Sequence, residues 1–188
     1  KRHCLKTRVW SNSQSLGFIF LGEIMTQLEL AKEGIVSPQM ERVAQSEAVA
    51  PETIRQGVAL GEIVIPANKN HGNLVPCGIG HGLSTKVNAN IGTSSDFGDV
   101  NTELAKLMVA IDAGADTVMD LSTGGDIAAI RQAIIAASPL PVGTVPIYQA
   151  GIEALTRHSA IVKMTADELF KTIEEHVRDG VDFMTVHC

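Results

Sequence analysis

Cysteine is scarce in this 188-residue chain, which holds Cys4, Cys77 and Cys188. Three scattered thiols cannot form a disulfide framework, and none has C-x2-C spacing, so they mark no metal or cluster site. Cys77 reads as a small buried residue. No run of 18 consecutive apolar residues occurs, which argues against a transmembrane helix. The expectation is a cytoplasmic protein without a membrane partner. Excess positive charge is also missing. The formal net charge is −6, with 45% hydrophobic residues, so the composition is that of a globular protein without a nucleic-acid-binding surface. The length fits one generous domain or one and a half.

What charge there is lies unevenly. Residues 1–24 carry Lys1, Arg2, Lys6 and Arg8 against Glu23, a balance of +3, which leaves −9 for residues 25–188. This segment holds the only tryptophan, Trp10, and ends in LGFIFLG. A basic start followed by an apolar run suggests a signal peptide. The run is short, however, a polar stretch precedes it, and no small-residue cleavage site follows. The expectation is a natural start at Met25, with residues 1–24 an extension that has no fold of its own.

Residues 25–60 read as short helices, with Ser37-Pro38 and Ala50-Pro51 as starts. GEIVIPAN reads as a strand cut by Pro66, and residues 67–84 as an irregular connector rich in Gly, Asn and Pro. From Thr85 the pattern changes. Residues 85–91, DTVMDLS, PVGTVPIY and VDFMTVHC read as four strands. Helices over residues 99–113, 125–137 and TADELFKTIEEHVRD separate them, the last opening on a Thr165/Glu168 capping-box spacing.

Strands alternating with crossover helices imply a parallel sheet. A doubly wound sheet and a (β/α)8 barrel both fit, although no GxGxxG follows the first strand. One regularity favours the barrel: every strand ends in polar or unusual residues, at Asn90, at Met119-Asp120, at Tyr148-Gln149 and at His187-Cys188. A barrel assembles its active site at that edge. The expected architecture is α/β: a helical region and connector over residues 25–84, then the first four strands and three helices of a (β/α)8 barrel over residues 85–188. Four strands leave the barrel incomplete, which suggests a piece of a longer enzyme.

Several segments are specific enough to carry a resemblance: MTQLELAKEGIVSPQM, STKVNANIGTSSD, GADTVMDLSTGGD, SPLPVGTVPIYQA and DGVDFMTVHC. From Met25 onward the chain resembles the phosphomethylpyrimidine synthase family of thiamine biosynthesis. The resemblance implies a radical S-adenosylmethionine enzyme on a (β/α)8 barrel that rearranges 5-aminoimidazole ribotide into 4-amino-5-hydroxymethyl-2-methylpyrimidine phosphate. It further implies a 4Fe-4S cluster, S-adenosylmethionine, zinc and a homodimer at full length. Carried over residue by residue, the substrate-binding positions are Asn90, Met119, Tyr148 and His187. The family's zinc-binding histidines and C-x2-C-x4-C cluster motif correspond to positions beyond Cys188, so this chain alone is expected to be inactive.

Each of these residues also has a plainer reading. Asn90 suits a turn before Gly92, Met119 suits core packing, Tyr148 a half-buried strand end, and His187 a satisfied structural histidine. Asp120 and Asp126 fit acid–base chemistry, a metal site or helix capping, and the STGGD loop fits a phosphate cradle or a tight turn. His71 reads as structural, and His81 replaces a position often basic in the family. Three alternatives stand beside the main reading: the paralogue that makes 5-hydroxybenzimidazole from the same ribotide, a non-catalytic truncated product, and a barrel aldolase or lyase using Lys86.

Overall fold

The computed structural model describes residues 25–187; the extension expected over residues 1–24 and the terminal Cys188 lie outside that range. Helix α1 (Gln27–Lys32) opens on a capping box, in which the Thr26 hydroxyl accepts from the Glu29 N–H and the Glu29 carboxylate accepts from the Thr26 N–H. Helix α2 (Pro38–Glu47) starts on Ser37, whose hydroxyl accepts from the Met40 N–H. Helix α3 (Pro51–Leu60) begins with proline and stops at Gly61, left-handed at φ 75°. Ala31, Met40, Val43, Ala44, Ile54 and Val58 close on Ile63 and Ile65 as one apolar core. A short antiparallel pair, β1 (Ile63–Val64) and β2 (Ile79–Gly80), lies beside it, so the connector is not wholly irregular.

The second half is a mixed α/β unit. Strands β3 (Asn88–Ile91), β4 (Thr117–Asp120), β5 (Val142–Thr144) and β6 (Phe183–Met184) form a parallel sheet in chain order. Helices α4 (Val100–Asp112) and α5 (Ile127–Ala137) provide the first two crossovers. Ile91, Val118 and Val142 from the strands pack against Leu107, Ile130, Ile134 and Ile135 from the helices. Full burial of each such side chain contributes about 1.5–3 kcal/mol.

The third crossover differs from expectation. The run PVGTVPIY does not continue as a strand to Tyr148: β5 ends at Thr144, and helix α6 spans Pro146–His158. Pro146 cannot donate to a strand ladder, but its fixed φ suits the first position of a helix. A 3-10 turn (Ile161–Lys163) and α7 (Ala166–Asp179) follow, so residues 85–187 hold four α-helices rather than three. Helix α7 does open on the Thr165/Glu168 capping box.

The connector is stitched to the sheet unit by polar groups. Asp182 accepts from Asn68 N–H (2.8 Å) and Val142 N–H (2.8 Å), and its Oδ2 lies 2.7 Å from His71 Nδ1. The other ring nitrogen of His71 lies 2.8 Å from the Ser138 carbonyl. Asn68 and Asn70 side chains donate to the carbonyls of Val181, Val177 and Arg178. His71 is therefore structural, as its place in the connector suggested.

Candidate functional site

The exposed face of the sheet begins with β3. Parallel pairing sets Asn88 opposite Thr117 and Asn90 opposite Met119, and Met119 in turn opposite Gly143. Asparagine is a poor strand residue because its amide competes with the ladder. Here the amides are occupied by each other: Asn88 Nδ2 donates to Asn90 Oδ1 (2.8 Å), and Thr117 Oγ1 donates to Asn88 Oδ1 (2.9 Å). The side-chain ladder orients Asn90 beside Met119. Thr185 Oγ1 lies 4.0 Å from Met119 Sδ, and His187 stands exposed two residues further on. The opposite face of the strands, with Ile91, Val118 and Val142, is covered by helices.

The loops after β3 and β4 are laced together. Thr93 N–H donates to Ser122 Oγ, Thr93 Oγ1 donates to the Gly124 carbonyl, and Thr123 N–H donates to the Thr93 carbonyl. A Cβ on Gly124 would collide with the Ser94 carbonyl, so glycine is required by close approach. Two N–H groups of the STGGD loop, those of Thr123 and Gly124, thus point to Thr93 rather than into a phosphate cradle. Asp126 caps α5 by accepting from the Ala129 N–H. Asp120 is buried; burial pushes its carboxyl up, against the Ser122 hydroxyl and N–H that donate to it.

Tyr148 lies in the first turn of α6, not at a strand end, and lines a cleft of about 550 Å³ with Ser94, Ser95, Thr123, Ile152 and Ile161. The structure therefore sets Asn90 beside Met119, and brings Tyr148 to the loops that follow their strands. Gln149, the next residue of α6, belongs to a buried polar cluster. Arg131, 1% exposed, donates from Nη1 to Gln149 Oε1 (2.6 Å) and from Nε and Nη2 to Asp179 Oδ2 (2.9 and 2.5 Å). His176 Nε2 lies 2.9 Å from the same Nη1 and 3.0 Å from Gln149 Oε1, while its Nδ1 lies 2.8 Å from Thr144 Oγ1. Burial, and then the Arg131 charge, push His176 down to about 4. The neutral ring accepts from Arg131 at Nε2 and donates from Nδ1 to Thr144. Sequence reading missed this cluster. Its trace was the single arginine inside the apolar run IAAIRQAII.

Lys86 pairs with Glu47 at 2.7 Å and donates to Ser84 before β3 begins. It is thus held at the opposite end from the site edge, which removes the Lys86 lyase reading. Among the described residues no group of three or more His, Cys, Asp and Glu side chains could hold a metal ion. Cys77 is half-buried, and burial pushes its thiol up. The described residues therefore do not fit an iron–sulfur cluster or a zinc ion.

The chain is 61% identical over 164 residues to the phosphomethylpyrimidine synthases of Moorella thermoacetica and of Dehalococcoides mccartyi strain BAV1, and 60% identical to that of Caldanaerobacter subterraneus. Each match covers 87% of this chain and 38% of the relative, so the chain spans well under half the length of these proteins. The family profile described as Radical SAM ThiC family matches residues 26–188, and the chain belongs to that family.

Proposed function

We propose that this chain forms the ribotide-binding half of a radical S-adenosylmethionine enzyme that converts 5-aminoimidazole ribotide to 4-amino-5-hydroxymethyl-2-methylpyrimidine phosphate. The observation that carries the reading is the register that sets Asn90 beside Met119 at the mouth of the sheet, in a chain of this family. Asn90 offers a donor and an acceptor to an imidazole edge or ribose hydroxyl. Met119 gives a flat ring a soft, adaptable wall. Tyr148 and His187 bond sugar or phosphate oxygens. The chain's part is binding and orientation, and the radical chemistry belongs to a cluster whose ligands these residues do not supply.

The strand order supports half of a (β/α)8 barrel. A doubly wound sheet reverses its order at a switch point, whereas these four strands run in sequence without reversal. On this reading residues 25–84 are an N-terminal helical region and residues 85–188 the first barrel half. The enzyme works in the cytoplasm as a homodimer at full length.

Calorimetric titration of the chain with 5-aminoimidazole ribotide tests the reading. Binding is expected without turnover when S-adenosylmethionine and reductant are added anaerobically. Asn90→Ala should weaken binding about tenfold, the loss of a paired polar contact in a substrate site. Unchanged affinity in that variant would remove the assignment. With the longer enzyme, analysis of the product distinguishes the pyrimidine from 5-hydroxybenzimidazole.

A further inference from the structure

The cluster under α6 has no contact with the sheet's exposed face, yet it buries a full guanidinium charge. Burying an ion pair costs several kcal/mol per ion, and well-packed apolar residues of equal volume often do as well or better for stability. Stability alone is therefore a weak account of Arg131, which is 1% exposed. Its contacts suggest another. Arg131 of α5 is held by Asp179 and His176 of α7, His176 by Thr144 of β5, and the assembly meets α6 at one side chain, Gln149, which accepts from Arg131 Nη1. Gln149 also donates to Glu153 one turn on, at 2.8 Å.

Helix α6 needs such a hold at its start. Its cap position, Val145, has no side-chain oxygen to accept from the N–H groups of the first turn. A helix without a cap frays from that end. Tyr148 sits within this turn, 39% exposed, immediately before Gln149, which is 6% exposed. Adjacent helical residues project about 100° apart, so fixing Gln149 inward fixes the direction of Tyr148 toward the site edge.

We propose that Gln149, held by Arg131, which His176 holds in turn, is the positioning residue for Tyr148. The clamp ties the uncapped first turn to α5 and sets its rotation, so the phenol is aimed before ligand arrives. The inference rests on the reading of Tyr148 as a ribotide contact, and extends it to three residues that touch no substrate.

Tyr148 is the only tyrosine in the chain, so tyrosine-labelled protein gives one set of ring signals in nuclear magnetic resonance. Gln149→Leu keeps the volume and removes the acceptor. It is expected to shift and broaden those signals and to raise amide exchange over residues 147–150 at least tenfold, as local opening does. The ribotide Kd should rise by about tenfold or more, the penalty for a misplaced contact. Gln149→Glu restores the acceptor and should recover the parent ring signals. Parent-like ring signals and exchange in Gln149→Leu would overturn the proposal. If Gln149→Leu does not fold, Arg131→Lys is read by the same signals. It keeps the charge but lacks the fork that reaches Gln149 and Asp179 together. Tyr148→Phe separates the two claims. If its ribotide Kd equals the parent's, the substrate reading of Tyr148 fails, while the ring and exchange measurements still decide whether Gln149 positions it.

Discussion

His71 and His176 are both buried, and the fold treats their protons in opposite ways. Burial opposes charge on His71, but hydrogen bonds to the Asp182 carboxylate and the Ser138 carbonyl outweigh it and raise its affinity for the proton. Burial first, and then the Arg131 charge beside it, hold His176 neutral down to about 4, with no carboxylate in contact to offset them. The signs follow by linkage from an unfolded value of about 6.5. The raised His71 contributes stability that is present below about 6.5 and is lost as pH climbs through its folded pKa. The depressed His176 contributes stability present above about 6.5 and lost as pH falls toward its folded value. Melting temperatures taken across pH should therefore decline on both sides of about 6.5. His71→Gln should flatten the alkaline decline and lower stability by about 3 kcal/mol, since it leaves a buried carboxylate with a poorer partner. An alkaline slope equal to the parent's would show that His71 does not carry it.

Among the elements, those that announce themselves do so through local chemistry. Thr165 and Glu168 gave the start of α7 because a capping box is a sequence pattern before it is a structure. Thr165→Ala should cost about 1 kcal/mol in urea unfolding, the ordinary loss of a cap. Asn90 and Met119 were legible as strand ends because polar residues interrupt an apolar run there, and the register then set them side by side. Helix α6 was illegible. Val142, Thr144, Val145, Ile147 and Tyr148 are β-branched or aromatic, as strand residues tend to be, and no capping residue marks Val145. Pro146 is a local mark of the helix start, but the contacts that hold Gln149 inward are invisible in a local pattern. The Arg131 cluster was hidden for a related reason, since an arginine in a helix usually reaches solvent. The double loop over β3 and β4 offers a further test. Gly124→Ala would drive a methyl into the Ser94 carbonyl, which can yield only if the loops separate. A loss of about 2 kcal/mol or more is expected, together with weaker ribotide binding, because the same loops border Tyr148. A variant with parent stability would mean that the loops are not locked.

Across the whole molecule, the two apolar cores share no residue: one is built from residues 31–65, the other from residues 91–181. What joins them is polar. Glu47 of α2 accepts from Ser84 and Lys86, which holds its carboxyl below the usual range, with the Lys86 bond the leading cause. On the connector, Asn68 and His71 meet Asp182. Hydrophobic burial is non-directional, so it cannot by itself set the angle between two units, whereas paired donors and acceptors can. The Asp182 carboxylate is the centre of this joint because it accepts from the connector and from β5 at once. Asp182→Asn presents an amide with one acceptor oxygen where two are used, and leaves a buried donor unpaired. The expected cost is about 3 kcal/mol, as when one partner of a buried pair is removed. The more telling expectation concerns cooperativity. With the joint loosened, amide exchange should rise across the connector, residues 66–76, and in the helices over residues 27–60, while the sheet over residues 88–120 keeps its protection. Hydrogen exchange read by mass spectrometry measures both regions in one experiment. A uniform rise over both regions would mean that the units unfold as one body and that Asp182 is not the joint between them.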